Sequence, residues 1–310
     1  MSGEGTRSAA ASLRSFMLDR PGSMVAAVLL GLIALAALVA PLIAPQNPFD
    51  LASFDVLDAD LPPRWLAGSD PRFLLGTDSQ GRDLLSAILY GTRISLTVGV
   101  LAVAIQAAIG IPLGLIAGYV GGRVDSLIAR VADVQLSLST LILAIIALAL
   151  VRASLGGETL GRLAVPLLVL VIGLAEWPTF ARTARAATLV EASKDHVRAA
   201  KALGASNAGV IRRHILPNIL SPLIVVATTQ IAGAIMAEAA LSFLGFGTPP
   251  PTPSWGRMLN EAQQQLFQAP QLAVYPGVAI ALTVLGLNLL GDGLRDHFDP
   301  RLARRGDSPT

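Results

Sequence analysis

An all-α membrane protein with six transmembrane helices and both termini cytoplasmic is what three features of this 310-residue sequence predict. Hydrophobic residues make up 53% of the chain and charged ones only 14%, a balance unlike that of a water-soluble domain of this length. Uncharged runs of roughly twenty residues recur, each long enough to cross a hydrocarbon core about 30 Å thick at about 1.5 Å per residue. Arginine and lysine collect in alternate connecting segments, which orients the spans.

The same composition excludes several classes of function. The formal net charge is only +2, so a pI of 9.4 points to no nucleic-acid partner, and what matters is where the arginines sit. The absence of cysteine rules out a disulfide framework, a thiol nucleophile and a thiolate metal site. His196, His214 and His297 are too scattered to suggest a metal centre, and no metal is expected.

The first span is Met24 to Ala44, behind a tail carrying Arg7, Arg14 and Arg20. Its apolar run exceeds the roughly 7–15 residues of a signal-peptide core, so it reads as a retained helix rather than a cleaved leader. Gln46 to Tyr90 is an aqueous loop rich in aspartate and proline with a short amphipathic end. Ile94 to Tyr119 is the second span, and its glycines Gly99, Gly110, Gly114 and Gly118 allow close helix packing. A charged turn over residues 121–130 precedes a third span, Val134 to Val151. Gly156 and Gly157 mark the turn before a fourth, from Leu163 to about Phe180. Ile219 to Phe243 and Leu272 to Leu290 are the fifth and sixth, separated by a Pro-rich and Gln-rich loop in which Trp255 and Phe267 suggest an interfacial helix.

Arginine counting places the N-terminus, Arg123, Arg130, the loop 182–217 and the tail with Arg295, Arg301, Arg304 and Arg305 in the cytoplasm. Arg64, Arg72, Arg82 and Arg93 then fall outside, in a long loop whose acidic residues outnumber them. The resulting division is a cytoplasmic tail 1–23, a first helix 24–44, an external loop 45–92, a five-helix domain 93–292 and a tail 293–310.

The cytoplasmic loop is the most informative segment. Asp195 to Leu203 has helical composition, with Val197, Ala200 and Leu203 at three-residue spacing and Lys194, Arg198 and Lys201 between them. Gly204 stands where a helix end needs a left-handed residue, and Ser206 can N-cap a second helix through Val210, Ile211 and Ile215. Pro217 suits the first turn of the next span, where its missing N–H costs nothing. The plainer alternative is a basic inner loop held against anionic lipid.

The spacing resembles the cytoplasmic loop of ABC importer permeases, which reads Glu-Ala-Ala, three residues, Gly, nine residues, Ile-x-Leu-Pro. Ala199, Ala200, Gly204, Leu216 and Pro217 occupy matching positions, while Arg198 and His214 stand where the general pattern has Glu and Ile. With Leu75-Gly-Thr-Asp-Ser-Gln-Gly-Arg-Asp83, Tyr90-Gly-Thr-Arg-Ile-Ser95, Leu241-Ser-Phe-Leu-Gly245, Pro249 to Gly256, Gly291 to Asp296 and Asp299-Pro-Arg301, the chain is similar to the C-type subunit of the dipeptide and oligopeptide branch. The resemblance implies a type I ABC importer permease fold in the bacterial inner membrane and a second permease subunit as partner. It also implies two ABC ATPase subunits inside, a solute-binding protein outside, and Arg198, Ala199, Ala200, Lys201, Gly204, Leu216 and Pro217 as the ATPase-coupling loop. The substrate class implied is short peptides, with a nickel complex or glutathione as alternatives.

Chemistry in this chain itself is not expected. A P-loop needs a glycine-rich turn followed by Lys and Ser or Thr, and the two lysines, Lys194 and Lys201, precede Asp and Ala, so ATP hydrolysis falls to partner subunits and no cofactor is expected here. Two carboxylates lie near membrane depth, where a buried charge is costly and therefore a candidate for function. Glu238, toward the outer end of the fifth span, lines a translocation path or makes a structural hydrogen bond; Glu176 pairs with an arginine such as Arg182 or anchors the loop. A proton-coupled secondary transporter is the reading from another class, and it would call for more midplane carboxylates or an internal repeat.

Overall fold

In the computed structural model, residues 21–50, 54–154 and 157–298 are described. The expected tail arginines Arg7, Arg14, Arg20, Arg301, Arg304 and Arg305, Gly156 of the expected fourth-span turn, and the Asp299-Pro-Arg301 match lie outside them. Among the described residues, regular structure is helical apart from one isolated β-bridge between Thr77 and Asp83. Along the chain run α1 (Pro21–Ile43), α2 (Leu84–Val120), α3 (Gly122–Ser137), α4 (Thr140–Ser154), α5 (Gly157–Ala175) and α6 (Trp177–Ala192). Then come two short helices, α7 (Asp195–Ala202) and α8 (Asn207–Val210), followed by α9 (Leu216–Phe243), α10 (Trp255–Ala262) and α11 (Gln271–Phe298).

Three single helices, α1, α2 and α11, and the continuous stretch Asn207–Phe243 are each long and apolar enough to cross a membrane. Two further pairs pass the same test as bent units, α3 with α4 at 83° and α5 with α6 at 41°. The outward surfaces suit hydrocarbon rather than water: α1 leaves Val28, Leu32, Leu35, Leu38 and Leu42 exposed at helical spacing.

The frame is set by α2. Its 37 residues span about 55 Å, and Asp83 caps its start by accepting from the Ser86 N–H at 2.8 Å. The helix therefore begins at Leu84, before the expected span start at Ile94. At that end Leu84 and Ala87 pack with Met258, Ala262 and Leu272. At the other end Tyr119 reaches the short helices, donating from its hydroxyl to Asn207 Oδ1 at 2.8 Å. The acidic loop and the basic loop thus sit at opposite ends of one straight element.

Against α2 lies α6, and the closeness of the two is a consequence of glycine. Gly110, Gly114 and Gly118 recur every fourth residue, and a Cβ on each would run into the carbonyl oxygens of Trp177, Ala181 and Arg185, which recur with the same period. Two i±4 ridges therefore meet backbone to backbone. The buried residues around this contact, among them Val98, Phe180, Ala184, Ile215 and Ile219, form the central core shared by α2, α5, α6 and α9.

Three expectations change. The charged segment after the second span is not a long turn: Gly121 and Gly122 reverse the chain with positive φ, and α3 starts at once. Its charges sit at helical spacing, and two of them meet α6, Asp125 with Arg185 and Asp133 with Arg182, the latter at 2.5 Å. The fourth span does not run on to Phe180 as one rod but bends at Glu176. Trp255 is core and not an interfacial anchor, 1% exposed between Gly91, Ile235 and Leu287, whereas Phe267 is fully exposed.

Gly114→Val places branched carbons against a backbone carbonyl that cannot retreat. The expected cost is about 1–3 kcal/mol or more, read as a lower thermal midpoint in detergent. Gly31→Val, at a position with open space around it, should leave the midpoint near that of the parent.

Candidate functional site

The basic loop folds as the sequence writes it up to Gly204. The glycine takes φ +85°, its N–H donates to Lys201 O at 3.0 Å, and the Ala205 N–H donates to Ala200 O at 3.1 Å. This pair of bonds closes the end of α7 and satisfies carbonyls that would otherwise be free. Ser206 then caps α8, accepting from the Gly209 N–H at 3.2 Å. Beyond that the expected separate helices merge. Ile211–Ile215 forms a single widened turn in which the Leu216 N–H reaches back to Ile211 O, and α8 runs through it into α9. A widened turn accommodates Pro217, whose ring would clash with the carbonyl four residues back in a regular helix.

The faces of α7 also differ from expectation. Val197 is buried, but Leu203 is 89% exposed because the chain leaves the helix there. Arg198, Ala199 and Leu203 form the outward surface, beside a hollow lined by Ser206, Gly209, Arg212 and Arg213. Lys201 is exposed as well, with its Nζ 4.3 Å from the centre of the Tyr119 ring. Leu216 and Pro217 sit at the root of α9, away from the tip.

What holds this unit to the spans is Glu191, which sequence reasoning passed over. It is 4% exposed at the end of α6, and its carboxylate accepts from Lys194 Nζ at 2.5 Å and from Asn218 Nδ2 at 3.1 Å, with His196 Nε2 at 3.2 Å. One buried carboxylate thereby joins α6, α7 and α9. The fold also brings His196 and His214 within 6.3 Å of each other, although they are far apart in sequence. Among the described residues, no group of three His, Cys, Asp or Glu side chains has metal-binding geometry.

A second feature lies between α2, α4, α5 and α9: an open cleft of about 370 Å³. Gln230 Nε2 donates to Gln106 Oε1 at 3.0 Å, and Gln106 Nε2 lies 3.5 Å from Ile172 O. Glu176, at the bend between α5 and α6, accepts from Thr140 Oγ1 at 2.6 Å. Leu141, Ile172 and Met236 supply apolar wall. Glu176 does not pair with Arg182, which binds Asp133.

Glu238, the other membrane carboxylate, is not among the residues lining this cleft. It is fully buried and accepts from Ser95 Oγ at 2.9 Å and Ser242 Oγ at 2.6 Å, joining α2 to α9. Gly233, Ala237 and Ala240 on α9 line the cleft, and a turn of about 100° per residue from Ala237 carries Glu238 away from it. At the far end of α2, two of the four arginines that strained the charge rule are paired with carboxylates. Arg72 pairs with Asp58 at 2.7 Å and Asp70 at 2.8 Å, and Arg82 pairs with Asp78 and Glu261, each at 2.6 Å. Burial alone would lower the pKa of the Arg82 guanidinium, but the two carboxylates outweigh it and hold it above its ordinary value.

Comparison with known proteins agrees with this architecture. A family model described as the binding-protein-dependent transport system inner membrane component matches residues 110–304. The dipeptide transport system permease protein of Haemophilus influenzae is 41% identical over 281 residues, 91% of each chain. A di/tripeptide transport system permease protein of Pseudomonas aeruginosa is 41% identical over 87% of this chain and 85% of its own. A glutathione transport system permease protein of Pectobacterium atrosepticum is 42% identical over 74% and 72%. Among solved structures, the inward-facing methionine ABC transporter superposes with a TM-score of 0.55 at 19% identity, covering 69% of this chain and 97% of that one, a likeness of fold. The chain therefore belongs to the family of binding-protein-dependent transport system inner membrane components.

Proposed function

We propose that this chain is a permease subunit of an ATP-driven importer of short peptides and forms half of the translocation pathway. The observation that carries the reading is the 41% identity, over 91% of both chains, to a protein named as a dipeptide permease. The alternative is glutathione, favoured by the relative at 42% identity over a shorter stretch. In this reading each bent helix pair is one span, giving six, and both termini are cytoplasmic. The divisions 1–23, 24–44, 45–92, 93–292 and 293–310 follow, with the loop 182–217 inside. A second permease, two ATPase subunits and an external binding protein complete the transporter, and ATP is hydrolysed by the ATPase subunits alone.

The geometry supplies a route for coupling. Arg198, Ala199 and Ala200 sit on a short helix whose tip meets the ATPase, with Lys201 steadying it on Tyr119 and Gly204 closing it. Displacement of α7 is passed through Glu191 to α6 and α9. Through Leu216 and Pro217 the chain continues without interruption to Gln230 at the cleft. A continuous helix transmits a push as a rigid body.

The reading is tested by ATP-dependent uptake of a labelled dipeptide into vesicles carrying the complete transporter and its binding protein, with glutathione as the comparison solute. Uptake of neither would overturn it. Gly204→Pro cannot hold φ +85°, and Ala200→Glu adds bulk and negative charge on α7. Each is expected to lower uptake by at least about tenfold, the effect of losing ~1.4 kcal/mol of docking, and to weaken co-purification of the ATPase subunits. Glu191→Ala should leave the spans intact while amide hydrogens of α7 and α8 exchange faster by mass spectrometry.

A further inference from the structure

We propose that Glu176 is the carboxylate that receives the ammonium group of the transported solute as it passes the cleft; the inference rests on the permease reading above. Polar side chains at membrane depth are expensive unless they line water or meet polar partners. Gln106 and Gln230, bonded to each other at 3.0 Å, stand near the middles of α2 and α9, so this depth is far from either end of the spans. Glu176 lies one helical turn from Ile172, whose carbonyl faces the same amides at 3.5 Å. The bend between α5 and α6 falls at Glu176 in the lining of this space, and irregular backbone at such depth belongs to cavities rather than lipid-facing surfaces.

The charge pattern selects the ligand chemistry. Glu176 is half-buried and held at Oε1 by Thr140 at 2.6 Å, and no cation pairs with it among the described residues. No arginine, lysine or histidine lines the cleft. A carboxylate fixed by one neutral donor, with no countercharge, in a wall otherwise made of amides and apolar groups, is complementary to an ammonium. Gln106 is buried and holds the half-buried Gln230, whose amide can donate to and accept from a peptide bond, and Met236 adapts to side chains of differing shape. Partial exposure keeps the contact weak enough for release, which passage requires. Glu238 lacks these properties, since it is sealed from solvent and saturated by serine hydroxyls.

The experiment compares parent, Glu176→Gln and Glu176→Asp in the complete transporter in vesicles, using a dipeptide with a free amino group. Peptide flux and ATP hydrolysis stimulated by loaded binding protein are measured together. The expected result is a fall of about tenfold or more in maximal flux for Glu176→Gln, the scale of a lost hydrogen bond to a charged group. ATP hydrolysis should stay within about twofold, because neither the docking loop nor the ATPase is touched, and Glu176→Asp should restore most of the flux. Equal flux in parent and Glu176→Gln overturns the proposal. So does a parallel fall of flux and hydrolysis, or equal loss in both variants, since either marks a packing role. If the parent itself moves no peptide, it is the permease reading that fails.

Discussion

The rest of the molecule depends on the approach of α2 and α6 through a row of glycines. Side chains ordinarily hold helices about 8–10 Å apart, but Gly110, Gly114 and Gly118 let the backbone of α6 settle directly on α2. In lipid this contact cannot draw on hydrophobic expulsion, because tails are as apolar as leucine, so dispersion between close backbones carries it. Placing α6 there fixes the bend at Glu176 at one end and Glu191 at the other. The cleft and the root of the basic loop are thereby positioned by the same interface.

Three buried charged groups of the protein each have polar or charged partners. Glu191 meets a lysine, a histidine and an asparagine; Glu238 meets serines; Arg82 meets two carboxylates. A buried charge with such partners adds little net stability, yet removal of one partner is costly, so these sites specify which helices meet. Glu176 stands apart, held by one hydroxyl in an open cleft. The contrast between saturated and available carboxylates separates those that tie helices together from the one that lines the cleft.

The loop and the cleft are joined by continuity of backbone. From Asn207 onward the chain runs as one helix past the widened turn at Ile211–Ile215 to Phe243 at the end of α9. The widened turn lets a proline remain inside that rod without breaking it. Gly204, at φ +85°, separates the short helix α7 from the rod that follows.

Sequence by itself determined the helical class, the apolar stretches, the glycine at the end of α7, the serine that caps α8 and the small residues along α2. Each of these follows from local chemistry: span length from bilayer thickness, capping from unpaired N–H groups, left-handed backbone from the absence of a Cβ. The charged segment after α2 misled because its charges read as a turn until α6 supplied arginine partners for Asp125 and Asp133. Trp255 misled in the same way, since an aromatic residue in an external loop reads as an interface anchor until Gly91 leaves room for it in the core. Only the tertiary structure decided which of two membrane carboxylates lines the cleft, that Glu191 joins three helices, and that Gln106 meets Gln230. Those facts rest on contacts between residues far apart in the chain, and the azimuth of a side chain on a helix acquires meaning only when the neighbouring helices are in place.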